Sequence, residues 1–85
     1  MHLILLTPAA ELTNQPIASA IVPGTSGDFG VLPGHMPFIS TLRANAVLVV
    51  EGTDGATTHF QLAGGVAEVT PTTLTILAEA AQPLS

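Results

Sequence analysis

Eighty-five residues with 47% hydrophobic and 8% charged side chains, seven Pro and eight Gly have the size of one small domain, with too few charges to stay solvated as a disordered chain. One Arg against six acidic residues leaves a formal net charge of -5, the wrong sign for a phosphate backbone, and excludes nucleic acid as a partner. The absence of Cys excludes a disulfide scaffold, a thiolate nucleophile and a cysteine-based metal site.

Residues 2–7 open the chain as a strand, with Ile4 and Leu6 on one face and Leu3 and Leu5 on the other. Both faces are apolar, so alternation alone does not say which is inside. No basic residue precedes this run as a signal peptide requires, and no stretch approaches the roughly 18 apolar residues of a membrane span. Any membrane association is expected to be indirect. A second strand is predicted over residues 17–22, stopped by Pro23 and Gly24, with room for a short irregular strand in residues 8–16 before it. Residues 23–37 read as a shaped loop, since Pro33 and Pro37 fix φ and Gly34 opens conformations closed to other residues. At most one short strand is expected there, near residues 29–32, and the apolar anchors of the whole loop region are Phe29, Val31, Leu32 and Met36.

Residues 46–51 and 57–62 flank Gly52, Thr53, Asp54 and Gly55 and predict a hairpin through the Asp-Gly turn signal. In the second arm Thr58, Phe60 and Leu62 point in, and Thr57, His59 and Gln61 point out. Gly64 and Gly65 mark a bend or a close strand crossing. Residues 66–70 and 73–77 form a further hairpin around Pro71 and Thr72. Residues 78–85 have Ala-rich helical propensity but are too short, and too broken by Pro83, for an independent helix. Twenty-three Val, Ile and Thr residues favour a pleated surface over a helix. About seven to nine short strands predict an all-β fold of two packed antiparallel sheets.

The inventory for catalysis is poor. No serine sits in a nucleophile elbow, and His2, His35 and His59 lack the spacing of a metal-ligand pair. The glycines of residues 23–30 have neither the Lys nor the following helix of a phosphate cradle. No catalytic, cofactor-binding or metal-ligating residue is therefore assigned. His35 reads as a ring that bonds neighbouring backbone and pins its loop, with a partner contact as the functional alternative. Asp28 either stabilises a turn or presents a charge to a basic partner, and Arg43 is either a rim contact or a solubilising charge. Leu3, Leu5, Val47 and Val49 lie opposite the faces a simple inward pattern needs. Either curvature buries both faces, or part of an outer face is a protein interface.

The segment Val22-Pro23-Gly24, then Gly27-Asp28-Phe29-Gly30-Val31-Leu32-Pro33-Gly34-His35-Met36-Pro37, resembles the epsilon subunit of F-type ATP synthases. Phe60-Gln61-Leu62-Ala63-Gly64-Gly65-Val66-Ala67-Glu68-Val69 and Thr75-Ile76-Leu77-Ala78-Glu79 extend the likeness. It runs from the first strand to Ala80. The resemblance implies that residues 1–85 form one N-terminal-type β-sandwich of about ten short strands. It also implies a noncatalytic rotor subunit at the foot of the central stalk, joining gamma to the polar loops of the c-ring. There it would support coupling of proton translocation to ATP synthesis. The ring contact falls on Asp28 and His35, with Pro33 and Gly34 holding the loop. The gamma contact is expected on an outer sheet face with Leu3, Leu5, Val47 and Val49. Location would be peripheral, on the cytoplasmic side of a bacterial inner membrane through the complex, and the leaderless start agrees with a bacterial source. Typical members continue into a helical hairpin that binds ATP or inhibits hydrolysis. This chain stops at Ser85, so a sandwich-only form or a piece of a longer chain, without that brake, is expected. Without the resemblance, the residues point to a noncatalytic β-rich adaptor, with a small ligand-binding sandwich second.

Overall fold

The computed structural model describes residues 1–84. They form nine strands: β1 (His2–Leu6), β2 (Glu11–Gly24), β3 (Gly27–Val31), β4 (Phe38–Thr41), β5 (Ala46–Gly52), β6 (Thr57–Leu62), β7 (Val66–Val69), β8 (Thr73–Leu77) and β9 (Ala81–Leu84). The long strand β2 belongs to two layers. Its residues 11–16 pair with β1, while residues 17–24 lie between β3 and β5. The first layer runs β4-β7-β8-β1-β2 and the second β3-β2-β5-β6-β9. The all-β sandwich read from the sequence is the fold observed, and counting the two halves of β2 separately turns nine strands into ten.

Two details of that reading change. The short strand expected within residues 8–16 is not a separate element: residues 11–16 are the first part of one strand that is continuous from Glu11 to Gly24. Pro16 marks the point where it passes from one layer to the other. Pro16 is the last residue of β2 paired with β1, and the Ile17 N–H turns to the Met1 carbonyl at 2.8 Å. The register then slips between Ile17 and Ser19. A residue without an N–H is tolerated where the ladder changes partner. Pro23 does not end the strand either: it is buried opposite Asp28, and its carbonyl accepts the Arg43 N–H at 3.0 Å. The sheets are antiparallel throughout the described residues except at β1 and β8, which run parallel. That pair is reached by a long connection through most of the chain, as parallel pairing requires.

Leu3, Leu5, Ala67, Val69, Leu74 and Ile76 of the first layer pack against Ile17, Val22, Leu48, Val50, Phe60 and Leu62 of the second in one buried cluster. Leu74 is wholly buried there. Leu74→Ala is expected to cost about 2–5 kcal/mol through lost transfer energy and the cavity left behind. Urea unfolding checks this as a lower midpoint at unchanged slope.

The hairpin of β5 and β6 forms in the expected register, Leu48 opposite Phe60 and Ala46 opposite Leu62. Its turn uses positive φ at Gly55 alone (φ 86°). Asp54 contributes instead by accepting the Ala56 N–H on its carboxylate at 3.0 Å. Gly64 and Gly65 do mark a close crossing, with φ of 71° and 119°. A Cβ on Gly65 would lie 2.8 Å from Ala78 Cα and overlap the Leu77 carbonyl.

Candidate contact surfaces

The loop between β3 and β4 is built by a turn that its sequence demands. The His35 N–H donates to the Leu32 carbonyl at 3.1 Å, enclosing Pro33 and Gly34, and Gly34 has φ 85°. Proline at the first central position and a positive-φ glycine at the second are the requirements of a type II turn. The Gly34 N–H fastens the turn to the Pro71 carbonyl at 2.9 Å, in the connection between β7 and β8. His35 then donates from Nδ1 to the Met36 carbonyl at 2.7 Å, so its ring does bond neighbouring backbone. Of the four expected anchors, Val31 is buried and Phe29 packs on the core. Leu32 and Met36 are not anchors: they are 63% and 78% exposed. The turn leaves them no core to reach, because Val31 ends β3 and the chain then folds outward.

Asp28 and His35 come together although seven positions separate them. Both line a shallow depression of roughly 360 Å³ with Phe29, Phe38 and Ser40. The two Phe rings meet edge to face at 5.3 Å. Asp28 is held by Arg43, whose Nη2 donates to Asp28 Oδ1 at 2.7 Å and whose Nη1 donates to the Gly24 carbonyl at 3.0 Å. Arg43, read from sequence as a rim or solubilising charge, is therefore an internal partner. Nothing in local spacing signals a pair between residues 28 and 43; it needs the crossing of Gly24 with Leu42.

The proposed gamma residues separate. Leu3 and Leu5 have no exposed surface and belong to the core, so they are not partner residues of this fold. The outer side of β1 is instead His2, Ile4 and Leu6, all half-buried. Because both sides of β1 are apolar, only the stacking of the second layer decides which side is inside. Val47 and Val49 do lie on an outer face, half-buried on β5, with Ile21, His59 and Gln61 opposite them on β2 and β6. The more apolar outer surface is on the first layer. There Val66, Leu77 and Leu6 form one row across β7, β8 and β1, and Ile39 lies on β4 at the edge. Leu77 is 52% and Ile39 65% exposed. An alternating pattern marks outward positions, but sequence reasoning placed no strand at residues 38–41 and so missed Ile39.

A two-layer sandwich whose strands are joined by a Pro/Gly turn, with exposed apolar side chains on one sheet face, belongs to the class of small all-β sandwich domains. The model of the beta-sandwich domain of the ATP synthase delta/epsilon chain matches residues 1–84, and the chain belongs to that family. The epsilon chain of Hyphomonas neptunium is 48% identical over 85 residues, which are all of this chain and 62% of that one. The epsilon chain of Caulobacter vibrioides is 48% identical over 80 residues, covering 93% of this chain and 90% of that one. The chain thus spans about three fifths of the Hyphomonas relative. A solved mitochondrial ATP synthase assembly of Euglena gracilis, containing OSCP, F1 and the c-ring, includes a chain that superposes with TM-score 0.88 at 26% identity, over 95% of this chain and 51% of that one. A chain of the Tetrahymena thermophila central stalk and c-ring has the same fold, with TM-score 0.80 at 16% identity over 96% of this chain and 65% of that one.

Proposed function

We propose that this chain is a noncatalytic rotor element at the foot of an ATP synthase central stalk, joining the gamma subunit to the polar loops of the c-ring. Residues 1–85 act in this reading as one load-bearing unit. A close-packed two-layer core resists deformation, which is what transmission of torque between two partners needs. Proton movement and nucleotide chemistry take place in other subunits, and coupling depends on the grip at both surfaces. The two epsilon chains named above are bacterial, which supports a peripheral position on the cytoplasmic side of a bacterial inner membrane through the complex.

The observation that carries the reading is the family match along residues 1–84. The ring-facing end is the depression with Asp28 and His35, set by the turn at Pro33 and Gly34. Exposed Leu32 and Met36 add an apolar contact beside the charge. The shaft-facing surface is the outer face of the first layer around Leu77. Val47 and Val49, with exposed Ile21, offer a second and smaller strip, interrupted by polar His59 and Gln61.

Asp28→Lys is expected to weaken association with the detergent-solubilised c-ring by about tenfold or more, because a carboxylate that attracts basic ring loops becomes a repelling ammonium. Binding of wild-type and variant chains to the ring, measured at two salt concentrations, checks it. Equal affinity of the two chains removes Asp28 from the ring contact.

A further inference from the structure

The only Arg in the chain is committed to two acceptors at once. Its Nη1 is bonded to the Gly24 carbonyl at 3.0 Å and its Nη2 to Asp28 Oδ1 at 2.7 Å. Its backbone is fixed as well, since the Arg43 N–H donates to the Pro23 carbonyl at 3.0 Å and Leu42 bridges Gly24. Thr25 completes the fastening: its N–H donates to the Thr41 carbonyl at 3.0 Å and its hydroxyl meets the Thr41 hydroxyl at 2.8 Å. The end of β2 and the turn into β3 are thereby tied, just before Asp28, to the end of β4 and the residues after it.

As an ion pair this contact contributes little to stability, because the side chains are 41% and 58% exposed and water screens them. Its value is directional. A planar guanidinium that bridges a backbone carbonyl and a carboxylate fixes the carboxylate's orientation, which a single ammonium cannot do. Among the described residues only Oδ1 of Asp28 is engaged, and Asp28 lines the depression, which leaves Oδ2 available to a second donor.

We infer that Arg43 is a positioning residue for the c-ring contact: it orients Asp28 so that its second oxygen meets a basic group of the ring loops. The inference rests on the proposed ring assignment of Asp28. It makes the ring-facing charge a preset ion pair with one free acceptor rather than a mobile carboxylate. The ordering cost is then met within the chain before the ring arrives.

The test compares Arg43→Ala, Arg43→Lys, Asp28→Asn and the double variant Arg43→Ala/Asp28→Asn in affinity for the detergent-solubilised c-ring. Arg43→Ala and Asp28→Asn are each expected to lower affinity about fivefold, and the double variant no further than the weaker single, since both remove one oriented group. Arg43→Lys restores only part of the loss. Amide relaxation of the free chain reads the positioning directly: Gly27 and Asp28 lose order in Arg43→Ala while the unfolding midpoint stays close to wild type. Unchanged or tighter ring binding by Arg43→Ala, with Asp28→Asn weakened, overturns the positioning role alone. Additive losses also overturn it, because they make Arg43 a ring contact in its own right. No effect of Asp28→Asn overturns the ring assignment itself, and the positioning role falls with it.

Discussion

Gly65→Ala is expected to remove about 2–6 kcal/mol of folding stability, a large share of what a domain of this size has. Two costs add. At φ 119° the backbone lies where L side chains are strained, costing about 1–3 kcal/mol. The new methyl group also overlaps the Leu77 carbonyl and crowds Ala78 Cα at 2.8 Å, for a further ~1–3 kcal/mol. Neither obstacle is a flexible side-chain tip, so relief requires β8 to move. That strand carries Leu74 and Ile76 into the core and pairs with both β1 and β7. The Gly65 carbonyl also accepts the Leu42 N–H at 2.9 Å, which couples the crossing to the segment that holds Arg43. Gly30→Ala is the control. No atom lies within 4 Å of its added Cβ and its φ is not positive, so a change within about 0.5 kcal/mol is expected. Thermal and urea unfolding of the two variants decide it, and a Gly65→Ala protein as stable as Gly30→Ala would show that β8 yields freely.

Leu77→Asp is expected to leave the chain folded and to weaken binding to the gamma subunit by about 100-fold, close to 2.7 kcal/mol. The side chain is 52% exposed, so the free chain barely registers the change. In the proposed shaft contact it lies in the centre of the row Val66, Leu77 and Leu6, where a partner would have to desolvate the new carboxylate without a cation. Val49→Asp, on the outer face of the second layer beside His59, is expected to change gamma binding by less than about threefold. Titration of gamma with each variant, together with its unfolding midpoint, separates contact from folding. The reverse ranking moves the shaft contact to the second layer. Leu5→Ala supplies the third arm, because Leu5 is buried and its loss acts through stability rather than through a partner surface.

Much of the fold is legible wherever local chemistry and period agree. The hairpin of β5 and β6 follows from its Asp-Gly turn and its alternation, and β8 lies at residues 73–77 as its pattern predicts. The turn at Pro33 and Gly34 is likewise local, since each residue supplies the φ its position needs. Strand β4 has no local signature, because Pro37 precedes only four residues with no turn signal directly after them. It becomes a strand by pairing with β7, Ile39 opposite Glu68. The tail, too short and too broken by Pro83 for an independent helix, carries no strand signal of its own. Its Ala residues favour a helix, yet Ala81–Leu84 adds to β6 as β9, where sheet pairing outweighs propensity. Ser85 lies outside the described residues.

The candidate sites divide along the same line. Asp28 and His35 stood out as the polar members of a constrained loop, and their closeness follows from the packing of Phe29 on Phe38. The partnership of Arg43 with Asp28 joins residues fifteen positions apart across two strands, and no period connects them. By itself the amino-acid sequence determined an all-β chain, its turns, its depleted charge and the constrained loop at Pro33 and Gly34, because turn geometry and alternation are properties of neighbouring residues. Only the tertiary structure decided that Leu3 and Leu5 are core, that Ile39 and Leu77 share an outer face, and that Asp28 is held by Arg43. Each of these depends on which surfaces of distant strands are pressed together, and a strand apolar on both sides carries no record of that choice.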